Sequence, residues 1–100
     1  MKIDRRKLQH TFGKHAADFG ISGIWNTHNG DLLQKAIEDH VASPQVHAIQ
    51  GTFRGTISVT HYFDPATHLN VMVDTKDEFV GGWKLSAAQV SHLLSSGNVQ

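Results

Sequence analysis

Apolar residues recur along this chain with two different periods, and the changeover falls near Pro44. Before it the spacing is helical. Leu8 and Phe12, four apart, share one face of a short helix over residues 4–12. Residues 13–26 interleave Gly13, Gly20, Ser22, Gly23 and Asn26, a mixture that predicts irregular chain with brief helical turns. A stronger helical stripe follows from about Asn29 to Ala42, on Leu32, Leu33, Ala36, Ile37, His40 and Val41. Thr27 or Asn29 is placed to cap it, and Ser43-Pro44 stops it.

Past Pro44 the period becomes two. Val46 to Phe53 reads as a strand, and Arg54-Gly55-Thr56 turns the chain. Ile57, Val59, His61 and Phe63 alternate with Ser58, Thr60 and Tyr62 in a second strand, closed by the turn Asp64-Pro65-Ala66-Thr67. His68 to Asp74 is a third strand with Val71 and Val73 on one face, and Phe79 to Leu85 a fourth, loosened by Gly81-Gly82. Such short connections imply an antiparallel meander. Ser86-Ala87-Ala88-Gln89 then matches a capping box, ahead of a helix striped by Val90, Leu93 and Leu94 and ended by Gly97. The predicted architecture is α+β: N-terminal helices packed on a four-stranded antiparallel sheet, with a short C-terminal helix.

Composition narrows the chemistry. One hundred residues suit one domain, so residues 1–100 are treated as a single unit. The chain has eight histidines and no cysteine, which removes disulfides, zinc-thiolate sites and thiol nucleophiles. Nine Lys+Arg balance nine Asp+Glu, which argues against a general coat for nucleic acid. The balance holds for the sum and not for its parts, however. Lys2, Arg5, Arg6, Lys7 and Lys14 face only Asp4 in residues 1–16, whereas residues 64–100 set Lys76 and Lys84 against Asp64, Asp74, Asp77 and Glu78. The basic arm is either a solvated helix face or a patch that focuses an anionic ligand.

Among candidate groups, Lys14-His15 differs from the rest. A His beside a Lys has its charged form disfavoured, which leaves a neutral imidazole able to accept a proton near pH 7. The neighbouring ammonium can stabilise a developing negative charge; the alternative is a surface Lys beside a half-buried His. Trp83, next to two glycines, is either a core ring or a stacking platform for a base. Arg54 is either a solvated turn residue or a phosphate ligand. The histidines lack the spacing of a zinc site, although a site assembled in three dimensions and a His-rich metal carrier stay open. No Gly-x-Ser-x-Gly elbow and no phosphate-cradling glycine loop occurs.

Four stretches carry a resemblance: Lys14-His15-Ala16-Ala17-Asp18-Phe19-Gly20-Ile21, Gly51-Thr52-Phe53-Arg54, His61-Tyr62-Phe63-Asp64-Pro65-Ala66-Thr67-His68-Leu69-Asn70-Val71-Met72, and Phe79-Val80-Gly81-Gly82-Trp83-Lys84-Leu85-Ser86. In this order, across most of residues 7–97, the chain resembles the colicin D-like tRNase domains of colicins and contact-dependent growth inhibition effectors. The resemblance implies the barnase/EndoU/colicin/RelE-like ribonuclease fold and metal-independent cleavage of transfer RNA, in the anticodon loop for colicin D, with no cofactor. It implies His15 as the catalytic histidine with Lys14 beside it, and Trp83 and Arg54 at the substrate. Two positions depart from the pattern: Phe12 stands where the family has a second lysine, and Gly81 where it has a serine. Either neighbours such as Arg54, Thr52 or His61 substitute, or the substrate and rate differ. His61 is also a candidate partner acid, but its strand position equally fits a satisfied core histidine.

The resemblance further implies transfer RNA as substrate and a cognate immunity protein that covers the active site, with neither membrane nor DNA as partner. Delivery is expected as the C-terminal part of a larger secreted effector, with Met1 not the native start, and action in the target cell's cytoplasm. A catalytically weakened or inactive RNA- or protein-binding module of the same fold is the competing expectation.

Overall fold

The computed structural model describes residues 1–100. Helix α1 spans Arg5–His15, and a 3-10 turn follows directly at Ala16–Phe19. Asp4 starts α1 by accepting the N–H groups of Arg6 (2.8 Å) and Lys7 (3.3 Å), which have no partner within the helix. Gly13 does not break the helix, so Lys14 and His15 lie in its last turn rather than beyond it. Helix α2, Thr27–Ala42, also begins earlier than the stripe suggests. Its cap is Asn26, whose side chain accepts the Asn29 N–H at 2.8 Å, and not Thr27 or Asn29.

The strands are β1 (His47–Phe53), β2 (Ile57–Phe63), β3 (Leu69–Asp74) and β4 (Phe79–Lys84), and they pair antiparallel in sequence order. Helix α3 (Ala87–Ser96) carries the full capping box between Ser86 and Gln89 and ends at Gly97 in the left-handed conformation, φ 76°. The four-stranded expectation needs one correction. Asn98–Val99 forms β5, parallel to β1, giving the mixed order β4-β3-β2-β1-β5. Two residues are too short to show any periodicity.

Both faces of the sheet are covered. Leu8 and Phe12 of α1 and Leu33 and Ile37 of α2 bury Val71, Val73 and Phe79 on one face. Leu93 of α3 and Val99 close over Phe53, Val59, Phe63 and Met72 on the other. Every residue from Asn70 to Val73 is therefore buried, as expected of a strand sandwiched on both faces. The α1 cluster sets the roll of that helix. With 100° between successive residues, burying Phe12 turns Lys14 to the opposite, solvent side.

Two glycines permit close approaches that place the site. A Cβ on Gly51 would lie 1.9 Å from the Gly97 carbonyl oxygen, so β1 meets the end of α3 only without a side chain there. A Cβ on Gly82 would lie 3.1 Å from both the Phe19 ring and the Asn70 carbonyl, which lets the 3-10 turn rest on β4. Gly81 is different: its nearest neighbour would be the Trp83 ring at an ordinary 3.5 Å. Gly51→Ala is therefore expected to cost about 2–4 kcal/mol, lowering Tm by about 10–20 °C, and Gly81→Ala less than about 1 kcal/mol. Denaturant melts of the two variants check this, and equal losses would contradict it.

Candidate active site

The end of α1, the end of β1 and the middle of β4 meet around a cleft of about 360 Å³. Helix α1 contributes His10, Thr11, Lys14 and His15, the end of β1 Phe53 and Arg54, and β4 Val80 to Trp83; Gln100 closes one side. Four of the six residues singled out from the sequence thus converge: Lys14, His15, Arg54 and Trp83. A larger hollow of about 520 Å³ lies over β1 to β3, but it offers Asp74 and Asp77 and no cation. An anionic ligand fits the smaller cleft.

A run of stacked groups organises that cleft. The His15 imidazole lies on the Trp83 indole, with ring centroids 5.4 Å apart and planes inclined 26°. Trp83 meets Phe53 edge-on at 5.9 Å, and the Arg54 guanidinium sits 4.8 Å above the Phe53 ring. Trp83 is half-buried, and its Nε1–H donates to Gln89 Oε1 at 3.3 Å. The same Gln89 oxygen accepts the Ser86 N–H, so the α3 capping box also holds the tryptophan. Lys14 and Arg54 have no ion-pair partner and stay free for a ligand.

His15 has its pKa lowered below the usual 6.5, chiefly by burial. Asp18, with Oδ2 3.6 Å from the His15 Nδ1, works against burial, while Lys14 and His10 add to the lowering. The direction agrees with the sequence argument, but the leading cause does not: loss of water outweighs repulsion from Lys14. Asp18 has a second tie, since its Oδ2 accepts the Lys84 N–H at 3.0 Å and so joins the 3-10 turn to β4.

Thr52 and His61 are not brought to the cleft. The Thr52 hydroxyl donates to Asn98 Oδ1 at 2.9 Å. His61 is fully buried. Its Nε2 lies 3.0 Å from two acceptors, the carbonyls of Thr52 and Gly97, so Nε2 carries the proton; the Asn70 amide donates to Nδ1 at 3.1 Å. That is a satisfied core histidine tying β1 to the end of α3, with no route to a ligand. Phe12 is also in the core, edge-on to Trp25 at 5.4 Å, and presents no charge. His10 was not singled out, although its spacing of four from Lys14 put both on one helix face. Nowhere do three His, Asp or Glu side chains converge as metal ligands would.

A largely neutral imidazole backed by an aromatic ring, sharing its cleft with two unpaired cations, has the chemistry to receive an anionic, proton-exchanging ligand. Comparison with known proteins specifies the class. A model of the colicin D family matches residues 7–93. Colicin D of Escherichia coli is 34% identical over 88 residues, which are 85% of this chain and 12% of colicin D. A ribonuclease from Escherichia coli, solved in complex with its inhibitor protein, has a TM-score of 0.81 and 32% identity, covering 92% of this chain and 99% of its own. The chain belongs to the colicin D family. It spans about an eighth of the length of colicin D itself.

Both depressed histidines link pH to stability with the same sign. His15 and His61 have folded pKa values below 6.5, so the unfolded chain binds more protons just below that value. Their contribution is complete above 6.5 and is lost as pH falls through the folded values. Asp74 titrates below 3.8, its carboxylate held down first by the Glu78 N–H, and lies outside that window. Tm is expected to fall between about pH 7 and pH 5, and His61→Gln to flatten that fall. A Tm that rises on acidification through this range would contradict the assignment.

Proposed function

We propose that this domain is the toxic ribonuclease part of a larger antibacterial effector, an endoribonuclease that cuts transfer RNA in the anticodon loop. The observation that carries the reading is the convergence of His15, Lys14, Arg54 and Trp83 in one cleft of a colicin D-family domain. The ribonuclease named in the structural match supports the RNA substrate, and its inhibitor supports a cognate immunity protein as partner. Colicin D's much greater length supports delivery as one part of a longer chain, secreted and acting in the cytoplasm of the target bacterium.

In this mechanism the neutral His15 removes the proton from a ribose 2′-hydroxyl. The 2′-oxygen then attacks the adjacent phosphorus and the 5′-oxygen of the next nucleotide leaves. The products are a 2′,3′-cyclic phosphate and a 5′-hydroxyl. Lys14 and Arg54 neutralise the charge that grows on the phosphate oxygens, Arg54 with a planar fork suited to two of them. Trp83 holds the His15 ring by stacking and steadies the imidazolium formed on proton transfer. A splayed base can stack on what remains exposed of that ring. His10 is the other imidazole on the cleft wall, so it replaces His61 as the candidate to protonate the leaving oxygen. Charge and protons are all handled by side chains, so the reaction needs no metal.

Two features favour a second reading, a weakened or inactive binding module of the same fold. Phe12 is buried where the family pattern has a lysine, and Gly81 brings no hydroxyl to the cleft.

The direct test incubates bulk transfer RNA with the domain in EDTA. Cleavage is expected to persist, and His15→Ala to lower it at least about 10²-fold with the fold intact. Loss of cleavage on chelation would overturn the metal-free mechanism, and a domain that binds but never cuts would establish the module. The pH profile is a second test. The acid limb of kcat/KM is expected below 6.5, because burial holds His15 deprotonated. Asp18→Asn, which removes the one charge that raises the His15 pKa, is expected to move the limb lower still, and Lys14→Met to move it up. A limb that ignores both substitutions would remove His15 from the proton transfer.

A further inference from the structure

Arg54 reaches the cleft from a strained piece of backbone. Its φ is 55°, the left-handed conformation, which is costly for a residue with a Cβ, and Gly55 follows at φ 73°. Such a turn keeps one shape only where its surroundings fix it. Beyond the β1–β2 pairing that closes the hairpin, the fixing contacts come from β5 and from Gly97 just before it, and the sequence pattern gives no signal for β5.

The contacts are specific. The Arg54 N–H donates to the Val99 carbonyl at 2.7 Å, and the Thr52 N–H to the Gly97 carbonyl at 2.9 Å. Asn98 Oδ1 accepts twice, from the Thr52 hydroxyl and from the Gly55 N–H, each at 2.9 Å. One side-chain oxygen thus grips the turn on both sides of Arg54. The Asn98 Nδ2 donates to Gln100 Oε1 at 3.0 Å, and Gln100 lines the cleft. The clasp is possible because Gly51 has no side chain to exclude the Gly97 carbonyl.

We propose that Asn98 is a positioning residue of the active site, acting on cleavage through Arg54 by locking the strained Phe53–Ile57 turn against β5. This rests on the reading that Arg54 neutralises the scissile phosphate. Asn98 has no part in proton transfer and no contact with the reacting atoms. What it supplies is a guanidinium already in place when charge develops, and a displacement of about 1 Å there is enough to cost about 10²-fold.

A double-mutant cycle on cleavage of transfer RNA tests this, with Asn98→Ala and Arg54→Ala alone and together. Circular dichroism melts set an assay temperature at which all four proteins are folded. Arg54→Ala is expected to lower kcat/KM about 10²-fold, and Asn98→Ala about 10–100-fold. In the Arg54→Ala background, Asn98→Ala is expected to cost less than about twofold, because the group it positions is gone. Asn98→Asp, which keeps the acceptor oxygen, is expected to recover most of the loss. Should Asn98→Ala not fold, Asn98→Thr takes its place, since it suits a strand yet draws the acceptor back by one bond. Equal losses in both backgrounds mean general destabilisation and overturn the proposal, as does an Asn98→Asp no better than Asn98→Ala. An Arg54→Ala variant that cuts like the parent, or a parent that cuts nothing, overturns the reading of the site and the proposal with it.

Discussion

The contact on which the site depends is the seating of the last turn of α1 on β4. Leu8 and Phe12 lock the helix to the sheet, which fixes its roll and leaves Lys14 in solvent and His15 against Trp83. The 3-10 turn that follows is pinned twice, by Phe19 over Gly82 and by Asp18 on the Lys84 N–H. The same seating sets the protonation state of His15. Burial lowers its proton affinity, and Asp18, delivered by the pinned turn, restores part of it. A looser joint would return the imidazole to water and dissolve the stack that links it to Phe53 and Arg54.

Much of this was legible residue by residue, and the exceptions have physical causes. Helix α3 was marked by the Ser86–Gln89 capping box, a local signal that needs no tertiary partner. β2 was marked by alternation, and the same alternation placed His61 on the buried face with Val59 and Phe63. The extension of α1 through Gly13 and the early start of α2 were hidden, because packing and the Asn26 cap decide them. β5 was invisible: Asn98 and Val99 pair with β1 only because Gly51 and Gly97 allow contact, a relation between residues 46 apart. Lys14, His15, Arg54 and Trp83 could each be nominated from local sequence. Their meeting in one cleft is a property of topology, since three elements far apart in the chain supply them. Thr52 on β1 and His61 on β2 fit the same local criteria and point elsewhere.

The zero net charge also takes on a structural meaning. The basic arm does not act as one patch. Arg5 is held by Asp31 at 3.2 Å and lies over Trp25, and Lys2 and Lys7 line a separate hollow with Asp4 and Glu78. Of the arm's five cations only Lys14 reaches the cleft, where Arg54 joins it. Positive potential is thus concentrated where a single phosphate would sit. On the proposed reading, a grip of that kind would select a local feature of folded RNA rather than a long stretch of backbone, and a shallow salt dependence is expected.

The central claim is that this cleft breaks RNA by 2′-hydroxyl attack at a chosen site. Sequencing the RNA ends produced when the domain is induced in a bacterium lacking the immunity protein, with chemical typing of the termini, tests it most directly. The account predicts breaks confined to the anticodon loop of particular transfer RNAs, each leaving a 2′,3′-cyclic phosphate and a 5′-hydroxyl. Intact transfer RNA, or ends carrying a 5′-phosphate and a 3′-hydroxyl, would contradict it.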